Sequence, residues 1–357
     1  MNSTILVIAL GLMAISLATL ATAQSLRTER VFGPEVPTGP YKHPASITEL
    51  DNGDLYLVYY GGKGEYATDT GVFGARLKFG ARTWTKPARI AHDPFRSLGN
   101  AVIWQAPDKL VWLFYVVRWG ETWSTSRIQA KVSKDGAMTW SDSFVISEAE
   151  GDMVRGRPIL LDNGEYLLPI YHETGGDPER VGADSASEFL RLEKGGHAWK
   201  PSGAIKSAKG NIQPAVAQLT REHLIAYCRR GGGYEPTTDG FIVRSESLDG
   251  GKTWAEGKDS AFPNPNAAVD FLRLQNGHLL LVYNNSMNDR TPLTVALSTD
   301  ADQSWPHRRD IATGPFDYAY PYAIQTKDGK IHVVYTSHGR TVINHAIFDE
   351  AWVTGRR

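Results

Sequence analysis

Cysteine is almost absent from this chain of 357 residues, in which Cys228 is the only one. The protein therefore has no internal disulfide, and its fold must be stabilised by a hydrophobic core and by closure of its sheets. An excess of charge of one sign is also missing. The formal net charge is -1, which gives no indication of a nucleic-acid partner. No stretch between the apolar runs shows helical periodicity, which points away from a helical fold.

The N-terminal segment has the pattern of a secretory signal peptide. Residues 5–20 are almost wholly apolar, and Ala21, Thr22 and Ala23 form a small-x-small cleavage site before Gln24. We therefore predict a signal peptide over residues 1–23 and a secreted or periplasmic protein in which residues 24–357 form one domain. A membrane anchor is the alternative, although the apolar run is short of the ~20 residues that a span requires. After cleavage we expect a monomer without a membrane span.

A strand pair joined by a tight turn recurs six times along the rest of the chain. The clearest copies read LDNGDLYLVYY, LDNGEYLLPIY, LQNGHLLLVYN and TKDGKIHVVYT, and they begin at Leu50, Leu161, Leu274 and Thr326. Weaker copies begin at Ala106 and Thr220. The clear copies turn through Asn-Gly or Asp-Gly, because a two-residue hairpin turn needs the positive φ that these residues tolerate.

The spacing of these turns predicts the fold class. The matching turn positions are Gly53, Lys109, Gly164, His223, Gly277 and Gly329, which are 56, 55, 59, 54 and 52 residues apart. A period of about fifty residues built from short strands is typical of a solenoid or a propeller, and four strands fit this length. The sequence therefore predicts an all-β, six-bladed β-propeller.

The same pattern predicts strand positions and the closure of the ring. In the first blade we expect strands over residues 44–50, 54–60, 71–77 and 88–91. An N-terminal strand near residues 28–32 is expected to pair with residues 341–348 at the C-terminus. Such closure would remove the exposed sheet edges.

A second signature, with Ser, Asp, Gly, Thr and Trp at fixed spacing, lies between the hairpins. It reads SKDGAMTW from Ser133, SLDGGKTW from Ser247 and STDADQSW from Ser298, with fainter copies from Lys78 and Lys194. Ser and Asp side chains can bond the turn amides, Gly takes the left-handed conformation, and Trp can pack between sheets. We interpret this signature as structural and assign it no chemistry.

The candidate site follows from the expected path of the chain. In an antiparallel meander, the loops that enter the first strand and leave the second strand of each blade lie on one face. Residues just before the first strands should therefore surround a pocket at the axis. All six of these positions are polar: His43, Asn100, Arg155, Gln213, Asn266 and Tyr320. The loops after the second strands add charged residues, which include Glu65, Asp69, Glu173, Arg229, Arg290 and Arg340.

These residue types indicate the kind of ligand. Arg beside an apolar strand is suited to bidentate binding of a carboxylate. We therefore predict a concave, mixed-charge site for an acidic sugar. No metal-ligand spacing is present, so we predict no metal or other cofactor.

Across essentially the whole mature length the chain resembles the sialidase superfamily. The signature that begins at Ser133, Ser247 and Ser298 is similar to the Asp box of that family. NPNAAVD from Asn264, RTPLTVALS from Arg290 and YAYPYAIQ from Tyr318 are similar to stretches of its bacterial and plant members. The resemblance implies a six-bladed propeller and a glycan substrate attacked from its non-reducing end.

The resemblance also implies roles for individual residues. Sialidases bind the substrate carboxylate with three arginines, and they use a Tyr nucleophile, an activating Glu and an acid/base Asp. Tyr320 matches the nucleophile, and Arg229 and Arg290 match the second and third arginines. The acid/base position falls in the loop that contains Glu65 and Asp69.

Two positions depart from that pattern. His43 stands where the first arginine is expected, and Gln213 stands where the activating Glu is expected. Gln213 cannot take a proton from a phenol, and His43 introduces a titrating group in place of a fixed charge. A mechanism centred on His43 and one centred on carboxylates, with Glu173 as a further acid or base, both remain open.

These considerations give one set of candidate residues and three candidate functions. The catalytic candidates are His43, Glu65, Asp69, Glu173 and Tyr320, and the substrate-binding candidates are Arg155, Arg157, Gln213, Arg229, Asn266, Asp270, Arg290 and Arg340. We predict a secreted, exo-acting glycoside hydrolase of sialidase-like type that acts on a glycan containing sialic or uronic acid. One alternative is a polysaccharide lyase on uronate polymers, with His43 or Tyr320 as the base. The other is a non-catalytic glycan-binding propeller.

Overall fold

Six antiparallel sheets form the blades of a β-propeller, as the turn spacing predicts. The computed structural model describes residues 25–176 and 180–355, so the predicted signal peptide lies outside the described residues. Within those two ranges, no helix is long and apolar enough to cross a membrane.

The first half of the chain forms three blades. The N-terminal strand β1 (Arg27–Phe32) belongs to the last blade. Blade 1 contains β2 (Tyr41–Glu49), β3 (Leu55–Gly62), β4 (Gly71–Leu77) and β5 (Ala88–Ala91). Blade 2 contains β6 (Leu98–Gln105), β7 (Val111–Arg118), β8 (Ser126–Ser133) and β9 (Phe144–Ser147), with a 3₁₀ turn at Trp123–Thr125. Blade 3 contains β10 (Asp152–Val154), β11 (Ile159–Leu160), β12 (Tyr166–His172), β13 (Ala186–Leu192) and β14 (Lys200–Ile205).

The second half repeats this arrangement. Blade 4 contains β15 (Asn211–Gln218), β16 (Leu224–Arg230), β17 (Phe241–Ser247) and β18 (Lys258–Pro263). Blade 5 contains β19 (Asp270–Arg273), β20 (Leu279–Asn284), β21 (Leu293–Ser298) and β22 (His307–Ala312). Blade 6 contains β23 (Ala319–Gln325), β24 (Ile331–Ser337) and β25 (Val342–Phe348), and helix α1 (Glu350–Thr354) follows it. The strands β3, β7 and β24 are buried along their whole length because neighbouring blades cover both of their faces.

The turns that join the first two strands share one hydrogen bond in all six blades. In each turn the N–H of the marker residue donates to the carbonyl oxygen three residues earlier. The marker has positive φ in five of the turns, at Gly53, Lys109, Gly164, Gly277 and Gly329. The weak copy at Lys109 therefore adopts the same left-handed conformation (φ 70°) as the glycines, and the sequence repeat is a structural one.

The second signature forms a capped turn, as predicted. In the copy that begins at Ser247, the hydroxyl oxygen accepts from Gly251 N at 2.8 Å and the hydroxyl donates to Asp249 Oδ1 at 2.8 Å. Asp249 Oδ1 in turn accepts from the N–H groups of Lys252 and Thr253 at 3.0 and 2.9 Å. These bonds satisfy the turn amides and involve no residue of the candidate site.

The ring closes between the two ends of the chain. Strand β1 pairs antiparallel with β25, which confirms the predicted pairing. Glu29 on β1 also contacts the buried His345 on β25, with 3.1 Å between its Oε1 and the imidazole Nδ1. Closure therefore places an ion-pairing contact beneath the paired backbones.

The two inner strands of blade 1 are longer than predicted. Strands β4 and β5 have the predicted bounds, but β2 begins three residues earlier and β3 ends two residues later than expected. The extra pairing joins Tyr41 to Gly62 and Lys42 to Gly61, and the register then shifts before Ala45. This shift places His43 in a β-bulge within the strand, whereas the prediction placed it before the strand.

Candidate active site

Bulges turn a ring of polar side chains toward the axis of the propeller. In β2, β6, β15 and β23 the register shifts at the position that carries the predicted ring residue. Four of the six ring residues have left-handed backbones: Asn100 (φ 45°), Gln213 (φ 56°), Asn266 (φ 56°) and Tyr320 (φ 54°). A bulge bends the strand and redirects one side chain. Most of the ring therefore lies inside the first strands, which corrects the expectation that it precedes them.

A narrow cleft with a free volume of about 30 Å³ lies at this end of the axis. Six of the predicted site residues line it: Glu65, Glu173, Gln213, Arg229, Tyr320 and Arg340. Sequence reasoning missed several aromatic residues of the wall: Tyr66, Trp123, Tyr171 and Tyr234. Tyr171 lies near the end of β12 in blade 3, whereas the prediction considered only charged residues after the second strands.

Arg229 connects the ring to the predicted nucleophile. Its side chain is buried, and its Nη1 donates to the phenolic oxygen of Tyr320 at 2.9 Å. Its Nε donates to Asn266 Oδ1 at 2.7 Å, and its Nη2 donates to the phenolic oxygen of Tyr234 at 3.0 Å. A cation that donates to a phenol oxygen favours the phenolate form.

Arg290 lies beside Arg229 and shares one of its acceptors. Its Nη2 donates to the phenolic oxygen of Tyr234 and to the carbonyl oxygen of Asn266, each at 3.2 Å. Within the described part of the chain, neither arginine forms an ion pair with a carboxylate. Arg229 in the cleft lining and Arg290 behind Tyr234 are therefore two guanidinium groups whose hydrogen-bonding partners among the described residues are all neutral.

Glu65 has the opposite environment, because its partner carries a positive charge. Its Oε2 forms an ion pair with Arg340 Nη1 and accepts from the Tyr41 hydroxyl at 2.7 Å. Its Oε1 accepts from the Tyr60 hydroxyl at 3.4 Å. Burial, with the charge of Glu65, raises the pKa of both phenols. Three donors thus fix the position of the Glu65 carboxyl group at one side of the cleft.

Glu173 is the second carboxyl group of the cleft, and burial favours its protonated form. Burial raises the pKa of Glu173 to about 7, the charge of Arg229 opposes the rise, and the charge of Glu65 adds to it. No hydrogen bond from the described residues reaches its carboxylate. The cleft therefore contains one carboxyl group that is half protonated near neutral pH and a second that contacts an arginine, an arrangement typical of acid/base sites.

His43 lies behind Tyr320 and outside the cleft lining. Its ring is 1% exposed and meets the Tyr320 ring edge to face, with the centroids 4.3 Å apart. The Thr336 hydroxyl donates to Ala319 O at 3.2 Å, so its oxygen accepts from His43 Nδ1 at 2.7 Å. This fixes the neutral tautomer with an unprotonated Nε2. Burial, with the charges of four nearby arginines, lowers the pKa of His43 well below 6.5.

This geometry argues against the predicted acid/base role of His43. A neutral, enclosed imidazole cannot deliver a proton to a sugar in the cleft. Its position instead supports the ring of Tyr320 from behind.

Six other predicted residues lie outside the cleft lining: Asp69, Arg155, Arg157, Asn266, Asp270 and Arg290. Asp69 is exposed, and its Oδ1 accepts from the backbone N–H of Lys63 at 3.2 Å, so it orders its own loop. Arg155 is buried, and its Nη2 donates to the carbonyl oxygens of Tyr320 and Pro321 at 2.9 and 3.0 Å. Arg155 thus holds the strained backbone of Tyr320 and is not placed to bind substrate directly.

Arg157 and Asp270 form a separate pair. Their side chains are 3.9 Å apart, and Asp270 Oδ2 accepts from Ala323 N at 2.6 Å. Arg157 lines the cavity at the opposite end of the axis, together with Gln105 and Gln218. Their positions indicate a role in joining blades 3, 5 and 6, which corrects the prediction that they bind substrate.

Gln213 and Asn266 position other site residues. Gln213 Nε2 donates to the Tyr171 hydroxyl at 3.4 Å, and its Oε1 lies 3.5 Å from Arg229 Nη1. Asn266 is fully buried, and its Nδ2 donates to the carbonyl oxygens of Gly232 and Gly233 at 2.8 and 3.2 Å. Asn266 therefore ties Arg229 to the loop that carries Tyr234.

The sequence matches the family of BNR repeat-like domains over residues 53–333. Comparison with curated proteins finds no match in sequence. One solved structure with the same fold is the Hadza microbial sialidase Hz136, with a TM-score of 0.77 and 14% identity over 91% of this chain and 69% of that chain.

Two further solved structures have similar scores. The intramolecular trans-sialidase from Ruminococcus gnavus, in complex with oseltamivir carboxylate, has a TM-score of 0.73 and 13% identity over 91% of this chain and 98% of that chain. The α-L-arabinofuranosidase arb93a from Fusarium graminearum has a TM-score of 0.67 and 12% identity over 91% and 98%. These identities establish likeness of fold alone. Since the family match spans most of the sequence, the chain belongs to the family of BNR repeat-like domains and has a sialidase-like six-bladed propeller.

Proposed function

We propose that this protein is an exo-acting glycoside hydrolase that removes a terminal acidic sugar, a sialic or uronic acid, from a glycan. The observation that carries the proposal is the pair Arg229 and Arg290, which meet at the cleft beside Tyr320 and donate only to neutral oxygens. Guanidinium groups bind carboxylates strongly, and a cleft with low water content strengthens that attraction. The fold is shared with sialidases and with an arabinofuranosidase, which is consistent with glycan chemistry.

Tyr320 is the proposed nucleophile. Its oxygen attacks the anomeric carbon as the bond from that carbon to the leaving oxygen breaks. Arg229 stabilises the developing phenolate through the 2.9 Å hydrogen bond, and Glu65, which lines the same cleft, accepts the phenolic proton. Gln213 cannot take this proton, so the proposed base lies in blade 1 and not in blade 4.

Glu173 is the proposed general acid. With a pKa of about 7 it is still substantially protonated at neutral pH, and it gives its proton to the leaving glycosidic oxygen. In the second step the Glu173 carboxylate takes a proton from water, the water oxygen attacks the anomeric carbon, and the bond to Tyr320 breaks. Tyr320 regains its proton from Glu65, and the anomeric configuration is retained.

Digestion of defined oligosaccharides, followed by mass spectrometry, tests this proposal. Purified protein is incubated with sialyl, uronosyl and neutral arabinosyl oligosaccharides. We expect release of the terminal acidic sugar by the wild-type protein and loss of that activity in Tyr320→Phe and Glu173→Gln.

Each of the other outcomes has a distinct meaning. An unsaturated uronate product would identify a lyase, and binding of an acidic glycan without turnover would identify a binding propeller. Release of arabinose alone would refute the acidic substrate class. Unchanged activity in Tyr320→Phe would refute the assignment of the nucleophile.

A further inference from the structure

The phenolic oxygen of Tyr234 lies where the guanidinium groups of Arg229 and Arg290 converge. Neither arginine forms an ion pair with a carboxylate of the described residues. It accepts from Arg229 Nη2 at 3.0 Å and from Arg290 Nη2 at 3.2 Å. The Arg290 guanidinium also lies over the Tyr234 ring, 5.4 Å from its centroid. A carboxylate oxygen placed at the same point would accept both N–H groups. Tyr234 is therefore a neutral occupant of the position that best suits an anion.

The backbone before Tyr234 is anchored, whereas the side chain can leave. Asn266 bonds the carbonyl oxygens of Gly232 and Gly233, and Gly232 also pairs with Val181. The Tyr234 side chain is 41% exposed, and Glu235 beyond it is held by an exposed ion pair to Arg180 at 2.9 Å. Displacement of the phenol from the arginines therefore proceeds by rotation of an exposed side chain about an anchored backbone.

We propose that Tyr234 determines the specificity of the site. Its phenolic oxygen occupies the position of the substrate carboxylate, and only a stronger hydrogen-bond acceptor displaces it. This inference rests on the proposed function, since it concerns the same arginine pair. Both acceptors receive hydrogen bonds from charged donors, but a carboxylate adds the attraction between opposite charges, so it outcompetes the phenol. A hydroxyl or ester of a neutral sugar makes bonds no stronger than those already present and gains nothing from displacing it.

Titration calorimetry with monosaccharides tests this inference without requiring bond cleavage. The ligands are glucuronic acid, N-acetylneuraminic acid and the methyl ester of glucuronic acid, and the proteins are wild type, Tyr234→Phe and Tyr234→Ala. We expect Kd for both acids to fall by about tenfold in the two variants, because hydrogen bonds that compete for charged donors are removed. The methyl ester is expected to gain at least as much, because its carbonyl oxygen no longer has to displace the phenol from the two arginines.

Two further variants serve as comparisons. Tyr166→Phe removes a phenolic oxygen outside the cleft, where the ring packs against Trp104, and should leave Kd unchanged. Glu235→Gln weakens the ion pair to Arg180 and should lower Kd in the same direction as Tyr234→Phe but by less.

An unchanged or higher Kd for the acids in Tyr234→Phe would overturn the inference, because it would show that the phenol contacts the bound sugar and does not compete with it. An unchanged Kd for the methyl ester in Tyr234→Phe would also overturn it, since the phenol would then not be what excludes neutral ligands. Absence of carboxylate-dependent binding in all the proteins would overturn it even if a neutral glycan were hydrolysed. If the binding gain is found but no glycan is cleaved, the proposed function fails while the role of Tyr234 stands.

Discussion

Replacement of Glu173 by Gln is predicted to inactivate the protein and, at alkaline pH, to make it more stable. In the folded protein, burial raises the pKa of Glu173 from the ordinary 4.5 to about 7. Folding therefore becomes less favourable when this group must ionise inside the cleft. Gln has nearly the same shape and never ionises, so the variant avoids that penalty.

The sign and size of the effect follow from proton linkage. An acid whose pKa is raised on folding has its full stabilising contribution below the unfolded pKa of 4.5, and the contribution is lost as the pH rises through 7. A rise from 4.5 to about 7 corresponds to about 3 kcal/mol in the free energy of unfolding above pH 8. The same proton is needed for catalysis, so wild-type activity should decline as the pH rises above 7.

Urea unfolding of both proteins at pH 4 and pH 8.5 measures the prediction. The midpoints should nearly coincide at pH 4, and at pH 8.5 the Glu173→Gln midpoint should be higher. Glu65→Gln is the matched control: it breaks the ion pair with Arg340, so it should lower the midpoint at pH 8.5. Equal midpoints of wild type and Glu173→Gln at pH 8.5 would refute the reasoning, since Glu173 would then ionise without cost.

Three further predictions concern binding, the repeated turns and ring closure. Arg290→Lys should raise KM for an acidic substrate by about tenfold with a smaller effect on kcat, because Lys lacks the planar fork of donors; steady-state kinetics measures this. Ser247→Ala should lower the free energy of unfolding by about 1–2 kcal/mol, since two turn hydrogen bonds are lost, whereas Leu248→Ala, at a position 70% exposed in the same turn, should have little effect. The bond to His345 lowers the pKa of Glu29 to about 2, so its stabilising contribution is present above pH 4.5 and is lost as the pH falls toward 2. The midpoint of thermal unfolding of Glu29→Gln should accordingly lie below that of the wild type at pH 6, and the two midpoints should converge in strong acid.

The features that could be predicted from sequence are those fixed by local backbone geometry. The six turns depend on residues that tolerate positive φ, and such residues are visible as Asn-Gly and Asp-Gly pairs. The capped turn at Ser247 likewise depends on side chains within five residues of one another. Repetition of these local signals at a nearly constant spacing is enough to indicate the number of blades.

The chemistry of the site depends on contacts between blades, which the sequence pattern does not contain. Glu173 was only one of several candidate acids, and its raised pKa arises from burial in the assembled cleft. His43 and Tyr320 are 277 residues apart in sequence, yet their rings are in contact and His43 is sealed from the cleft. Asp270 ends the NPNAAVD stretch that carries part of the family resemblance, but its carboxylate accepts a backbone N–H of the neighbouring blade.

The backbone conformation of the ring gives an independent reason to assign function to its side chains. Among the described residues, glycine occupies eighteen positions with positive φ, so the chain uses glycine freely where the left-handed region is needed. At Asn100, Gln213, Asn266 and Tyr320 it keeps a large side chain instead, although a non-glycine residue there costs about 1 kcal/mol or more. Glycine would relieve that strain, but it would remove the hydrogen bonds that these side chains form. Asn100 and Gln213 bond to Tyr171, and Asn266 and Tyr320 bond to Arg229. Lys109 and other non-glycine residues with positive φ lie in turns, whereas these four carry side chains of the ring at the cleft end of the axis. Their strain is therefore explained by the need to direct these groups at a ligand.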